Sequence, residues 1–166
     1  MPSAQARIPY WTHAPEAVIA LHDLSEQLKH AGLDPVLVDL ARLRASQINH
    51  CVYCIDMHTR EAREEGETEE RLEALAGWRT SPMFDAREKA ALAWTESLTL
   101  IADTNAPDAD FAIVKAQLSD KEITDLTFVI AVINAWTRIA IGMRQPILHP
   151  VPPISTHDHQ HNEETT

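Results

Sequence analysis

The sequence contains little of the material from which β-structure is built. Only four glycines, three phenylalanines and two tyrosines occur among its 166 residues, which leaves few residues for tight turns and strands. Alanine, leucine, glutamate and arginine are plentiful and favour helices. The composition therefore predicts an all-α protein, and the length fits one domain with a core of ordinary size.

Positive charge is also scarce. The 14 Lys and Arg residues are outnumbered by 25 Asp and Glu residues, which gives a net charge of −11. This charge argues against binding to nucleic acid or to anionic lipid.

Residues 126–143 are apolar enough to suggest a membrane span, but Asn134 and Arg138 lie inside this stretch. Because a central Arg costs roughly 2.5–3.5 kcal/mol on insertion scales, a core helix or a helix buried between subunits is the better interpretation.

The N-terminus shows no basic region followed by an apolar run, so no secretory signal is visible and a soluble, cytoplasmic protein is expected. The chain has only two cysteines, Cys51 and Cys54. In a reducing compartment, a close pair of cysteines is more often catalytic or metal-binding than a structural disulfide.

Turn and capping signals divide the chain into three parts. Residues 1–14 contain two prolines and no clear period, and we interpret them as an N-terminal arm. Residues 15–144 form a domain of about six or seven helices, with Asp34 as one N-cap, Gly66 as a helix stop, and capping boxes opening at Asp85 and Ser119. Residues 145–166 are rich in proline and histidine and are interpreted as a tail, where metal binding by the histidines is a weak alternative.

The chemistry is predicted to reside in the segment that contains both cysteines. Cys51, Cys54 and His58 are spaced by three and four residues, so on a helix they share one face. A thiol near a helix N-terminus is activated by the unpaired N–H groups and by the macrodipole. The histidine can accept the thiol proton, and one cysteine can resolve what the other forms with an oxidant. This pattern predicts a thiol oxidoreductase.

Other interpretations of the same residues stay open. One alternative is that the two cysteines are buried and inert, as free cysteines often are. With His50 added, Cys51, Cys54 and His58 supply enough nitrogen and sulfur for a tetrahedral zinc site, although structural zinc sites usually draw ligands from two separate elements. No strand precedes the motif, which disfavours a thioredoxin fold.

The surrounding residues resemble a known family. Residues 44–63, together with residues 66–72, 78–79, 88–96 and 133–138, look like the core of the AhpD-like alkylhydroperoxidases, within the carboxymuconolactone decarboxylase family. The resemblance spans about residues 15 to 144. It implies that Cys54 is the peroxidatic cysteine, that Cys51 resolves the sulfenic acid, and that His58 relays the thiol proton together with an upstream acid, for which the matching position holds Asp39.

Three positions depart from the family pattern. Asp39 replaces the usual Glu, so its carboxylate is one methylene shorter. Tyr53 stands where some members have a histidine, and a phenol with a pKa near 10 is no base at neutral pH but can donate a hydrogen bond. His50 replaces the usual Gly before the first cysteine, and we interpret it as a residue of the helix entrance.

The expected function is that of a cysteine-dependent peroxidase that reduces organic or hydrogen peroxide and needs no metal or cofactor. The electron donor is expected to be a thiol or lipoyl-type reductant. The apolar breadth of residues 36–43 and 126–143 predicts a homo-oligomer, and the family resemblance favours a trimer or a hexamer. The alternatives are a thiol–disulfide oxidoreductase without efficient peroxidase activity and a non-enzymatic zinc-binding module. Lactone decarboxylation is the least expected family activity, since it gives the cysteine pair no task.

Overall fold

The computed structural model describes residues 5–147, and within that range it contains α-helices, one 3-10 helix and no strand. The all-α prediction is confirmed for these described residues, which form nine α-helices rather than the predicted six or seven, because two four-residue helices, Tyr10–His13 and Ile101–Thr104, were not expected. The helices are α1 (Tyr10–His13), α2 (Pro15–Lys29), α3 (Pro35–Ile48), α4 (Val52–Glu64), α5 (Glu69–Ala74), α6 (Ala86–Thr99), α7 (Ile101–Thr104), α8 (Asp108–Lys115) and α9 (Asp120–Met143), and the 3-10 helix Leu75–Gly77 follows α5.

The predicted helix starts are confirmed by their hydrogen bonds. The Asp34 side chain accepts a hydrogen bond from the Val36 N–H at the start of α3, and complete capping boxes open α6 at Asp85 and α9 at Ser119. These side chains satisfy N–H groups that have no partner inside a helix. Gly66 follows the end of α4 with a φ of +102°, as the predicted stop requires.

The helix expected to continue through Ile101 is interrupted at Leu100. There the backbone leaves the helical region, with φ −96° and ψ 31°, and the short α7 ends at Asn105 in a left-handed conformation. The Thr104 hydroxyl donates a 2.7 Å hydrogen bond to the carbonyl of Ser97, which holds the bend. No glycine or proline marks this position, so the sequence pattern gave no signal of the interruption.

The core forms around α9, which packs against α2, α3 and α6. By length and composition alone this helix could cross a membrane, but core helices of globular proteins meet the same criterion. Leu126, Ile130 and Ile133 are almost fully buried in the protein core. Two other apolar residues of α9, Phe128 and Ile141, are about half exposed. The oligomer that the sequence predicts stays a prediction.

Polar contacts fix the turn between α3 and α4 against α9. The amide of Asn49 donates to the side-chain oxygens of Asn134, at 2.9 Å, and Thr137, at 3.0 Å. Asn134 in turn donates to Thr99 and accepts from Arg138. This buried network satisfies polar groups that would otherwise destabilise the core, and it positions the residues that lead directly into the cysteine motif.

The N-terminal arm is tied to the far end of α9. The Arg7 backbone N–H donates to the Met143 carbonyl at 2.8 Å, and the Arg7 guanidinium donates to the Gly142 carbonyl at 3.1 Å. A cation at a helix C-terminus is favourable because the last carbonyls are unpaired there. The arm therefore packs on the domain. The His-rich residues of the predicted tail, from His149 onward, lie outside the described residues.

Candidate active site

Both cysteines lie at the N-terminus of α4. Cys51 is the N-cap residue, and its sulfur accepts a 3.3 Å hydrogen bond from the Cys54 backbone N–H. The two residues are joined as a disulfide and are each only 1% exposed. Cys54 lies in the first turn of the helix, where the helix dipole favours a negative sulfur once the disulfide is reduced.

A cavity of about 700 Å³ adjoins one of the two cysteines. Cys54 and His58 line it, whereas Cys51 does not. The remaining wall comes from α1, α2, α3 and α9 and includes Trp11, Val18, Ile133 and Trp136. Of the two cysteines, only Cys54 therefore lies against a molecule that occupies the cavity.

His58 is held by a carboxylate on its own helix. Its Nδ1 lies 2.8 Å from Oε2 of Glu61, one turn further along α4. The other ring nitrogen, Nε2, is buried and has no hydrogen-bond partner in the described part of the chain. An ionised Glu61 requires Nδ1 to carry the proton, which leaves the Nε2 lone pair free to act as a base.

Electrostatics favour this protonation state. Burial lowers the pKa of His58, and the charges of Arg42 and Lys29 lower it further, while Glu61 opposes the shift. Burial alone raises the pKa of Glu61, but the hydrogen bond from His58 and the charges of His58, Lys29 and Arg42 outweigh it and the net shift is downward. At neutral pH the pair therefore consists of a neutral imidazole and a carboxylate.

Asp39 is not among the residues that line this cavity. It lies on α3 beside a second, smaller cavity of about 300 Å³, which Glu65 also lines. Burial, the charge of Glu65 and a hydrogen bond with Glu65 raise the pKa of Asp39 to about 7, against a smaller lowering effect of Arg42. Asp39 thus has Glu65 as its neighbour, and the carboxylate that contacts His58 is that of Glu61.

The two other departures from the family pattern also have clear positions. Tyr53 lines the main cavity beside Tyr10. Burial raises the pKa of Tyr53, and burial together with Tyr53 raises the pKa of Tyr10 to about 12, so both phenols are hydrogen-bond donors rather than bases at neutral pH. His50 is exposed and has a φ of +55°, a left-handed conformation that glycine adopts without strain.

The arrangement does not favour zinc. Among the described residues, no group of three or more His, Cys, Asp or Glu side chains is arranged to hold a metal ion. His50 is exposed at the helix entrance, whereas Cys51, Cys54 and His58 are buried. The four residues proposed for a tetrahedral site are therefore divided between the surface and the interior.

Three features of the site were missed from the sequence. Glu61 follows His58 by three residues, a spacing that puts them on one helix face, so this partner was detectable. The arm residues Tyr10 and Trp11 line the cavity, and so does the buried Arg42. Their positions depend on how α1 and α3 pack, for which the sequence carries no local signal.

Comparisons with known proteins identify the family of this chain. The model of the carboxymuconolactone decarboxylase family matches residues 15–97, which include the cysteine pair, His58 and Glu61. This chain belongs to that family. The uncharacterized protein YdfG of Bacillus subtilis (strain 168) is 36% identical over 137 residues, covering 82% of this chain and 93% of YdfG.

Solved structures of similar proteins extend the agreement to the fold. A protein of unknown function from Agrobacterium tumefaciens, suggested to be an antioxidant defence protein AhpD, is 40% identical, with a TM-score of 0.83 over 89% of this chain and 100% of its own. An uncharacterized peroxidase-related protein from Silicibacter sp. TM1040 is 22% identical, with a TM-score of 0.72 over 81% of this chain and 72% of its own. The second likeness concerns the fold alone. The predicted AhpD-like relationship within the family is confirmed.

Proposed function

We propose that this protein is a cysteine-dependent peroxidase that cycles between a dithiol and the Cys51–Cys54 disulfide. The observation that carries the proposal is a cysteine at a helix N-terminus that shares a cavity with a histidine whose Nε2 has no hydrogen-bond partner among residues 5–147. Cys54 is the peroxidatic residue because it lines the cavity. Cys51 is the resolving residue, since it is close enough to form the disulfide.

The reaction begins with proton transfer from the Cys54 thiol to Nε2 of His58, and Glu61 stabilises the imidazolium through Nδ1. The thiolate attacks the terminal oxygen of a hydroperoxide, the O–O bond breaks, and the leaving alkoxide takes the proton from His58 and departs as an alcohol. Cys54 is left as a sulfenic acid. The Cys51 thiol then attacks the Cys54 sulfur, which releases water and forms the disulfide.

The cycle closes when an external dithiol reduces the disulfide. A thiolate of the reductant enters through the cavity and attacks the Cys54 sulfur, which forms a mixed disulfide while the Cys51 sulfur leaves as a thiolate. The second thiol of the reductant then attacks its own sulfur in the mixed disulfide, so that the Cys54 thiol is released and the reductant leaves as a disulfide. A thiol or a lipoyl-type dithiol has the required chemistry. No metal ion or bound cofactor takes part in these proposed steps. We further propose that the protein acts in the cytoplasm as a trimer or a hexamer.

The experiment is a count of free thiols after the reduced protein is mixed with one equivalent of cumene hydroperoxide. We expect both thiols to be lost and one equivalent of cumyl alcohol to appear. Cys51→Ser should stop at a sulfenic acid on Cys54 that dimedone traps, whereas Cys54→Ser should keep its thiol and consume no peroxide. Unchanged thiols in the wild type, or turnover by Cys54→Ser, would refute the proposal.

Thiol–disulfide exchange without peroxidase activity is the second candidate. The observation in its favour is that a phenol, Tyr53, lines the cavity where some family members have a histidine. Experiments on the same protein preparation distinguish thiol–disulfide exchange from peroxidase activity. Fast reduction of the disulfide by dihydrolipoamide, together with no loss of cumene hydroperoxide, would support exchange alone.

A further inference from the structure

Arg42 is a charged side chain buried in the wall of the active-site cavity. It is only 6% exposed, and its Nη2 donates a 3.1 Å hydrogen bond to the Ser25 carbonyl. Both residues line the cavity. This bond is the only one that the Arg42 guanidinium makes within the described residues, and the guanidinium forms no salt bridge there. A buried guanidinium normally pairs with a carboxylate, so Arg42 has unused capacity for an anion.

The carboxylates nearest to this part of the cavity have other partners. Glu61 accepts from His58 at 2.8 Å, and its other oxygen lies 3.9 Å from the Lys29 ammonium. Glu26 lies 3.0 Å from the same ammonium. Asp39 interacts with Glu65 beside the second cavity. The charge of Arg42 acts on Glu61 and Asp39, but among the described residues neither carboxylate accepts a hydrogen bond from its guanidinium.

Most of the remaining wall is apolar. Val18 and Ile19 come from α2, and Val132, Ile133 and Trp136 come from α9. A cavity of about 700 Å³ lies within the range of small-molecule sites, which are mainly apolar and use a few polar groups to orient the ligand. A ligand that fits both features has a hydrocarbon or aromatic body and one anionic end.

We propose that the cavity binds an amphipathic monocarboxylate, with its carboxylate on the Arg42 guanidinium and its apolar body against α2 and α9. A guanidinium binds a carboxylate through two parallel hydrogen bonds. If the proposed peroxidase function holds, the preferred substrate is a hydroperoxide that itself carries a carboxylate. The binding step does not depend on that function.

Binding is tested on the wild-type protein with three probes of equal chain length: octanoate, octan-1-ol and octylammonium. Trp11 and Trp136 line the cavity, so their fluorescence reports its occupation. We expect octanoate to bind at least about tenfold more tightly than octan-1-ol, since one charge-assisted contact is worth that much, and octylammonium to bind most weakly. Equal affinities, or no binding of octanoate, would overturn the proposal.

Substitutions then assign the effect to Arg42. Arg42→Gln should bring octanoate to within about threefold of octan-1-ol, whereas Arg42→Lys should keep most of the preference. Lys121→Gln is the matched control, because it removes a cation whose side chain is 68% exposed and lies outside the cavity. Should Arg42→Gln keep the full preference, Arg42 is not the anion site. If a variant does not fold, the comparison of the three probes on the wild type still shows whether the cavity prefers an anionic ligand.

A kinetic comparison connects the site to catalysis. The wild type should reduce a fatty-acid hydroperoxide faster than its methyl ester, and Arg42→Gln should reduce both at the ester rate. A protein that discriminates octanoate but reduces no hydroperoxide would keep the binding site and discard the proposed function. If Arg42→Gln instead raised the pKa of the Cys54 thiol and bound octanoate normally, Arg42 would serve the thiolate and the proposal would be wrong.

Discussion

Replacing Glu61 with Gln tests the proton relay most directly. The change keeps the side-chain shape but removes the charge that accepts the 2.8 Å hydrogen bond from Nδ1 of His58. Glu61 supports the protonated form of His58 by this bond and by its charge. Without it, the imidazolium that forms when Cys54 loses its proton is less stable, so the variant should hold less thiolate and react more slowly with peroxide.

The size of the effect follows from the contact. A hydrogen bond to a charged group is worth about 1.5–3 kcal/mol, and about 1.4 kcal/mol corresponds to tenfold in rate. Since the Glu61 side chain is 33% exposed, solvent screens part of this energy, and we expect a loss near the lower limit, about tenfold.

The assay is stopped-flow mixing of reduced protein with cumene hydroperoxide across a range of pH. The wild type should reach its plateau rate at lower pH than Glu61→Gln, because the variant depends more on unassisted ionisation of the thiol. Glu64→Gln, an exposed substitution on the same helix, controls for the loss of one negative charge. Equal rates and equal pH profiles for Glu61→Gln and the wild type would refute the relay as described.

Three further predictions concern stability and are measured by denaturant unfolding. Because the pKa of Asp39 is raised to about 7 by burial and by Glu65, the folded state keeps a proton on Asp39 that the unfolded state loses, and the contribution of Asp39 to stability falls as pH rises from about 4 to about 7; Asp39→Asn should remove this contribution, so the stability difference between variant and wild type should shift in favour of the variant from pH 4 to pH 8, without slowing the peroxidase reaction. Asn134→Ala should destabilise by about 1–3 kcal/mol, because it leaves the buried Thr99 hydroxyl without its Asn134 donor, and an unchanged midpoint would contradict the described network. His50→Gly should stabilise by up to about 1 kcal/mol, because it relieves a φ of +55°, and a destabilised variant would show that the imidazole makes a necessary contact.

Local signals in the sequence were sufficient for most helix ends and for the reactive segment. Asp34, Asp85 and Ser119 bond to N–H groups two or three residues away, so their roles need no knowledge of the fold. The same holds for Cys54 and His58, whose common face follows from helical spacing. The bend at Leu100 lacks such a residue, and it depends on the contact between Thr104 and Ser97 that only the folded chain makes.

The sequence did not predict which neighbours the polar residues of α3 contact. This helix packs against α4, α6 and α9, so it has no single solvent-facing side from which the orientation of Asp39 or Arg42 follows. The family pattern pointed to Asp39 as the acid beside His58, whereas the packing turns Asp39 toward Glu65 and brings Arg42 to the main cavity. Proximity across helices is a tertiary property, and periodicity alone does not supply it.

His58 and Glu61 lie on the same helix as Cys54, and this has a practical consequence for finding the same site in other protein sequences. Cys54, His58 and Glu61 lie within eight consecutive residues, from 54 to 61. Their relative positions are therefore set by the geometry of α4 alone and do not change when a neighbouring helix shifts. A search for Cys-x-x-Cys-x-x-x-His-x-x-Glu should therefore recover chains with this relay whatever residue stands twelve positions before the first cysteine. Chains that have the upstream acid but neither Asp nor Glu after the histidine would form a separate class, with a relay assembled from two helices.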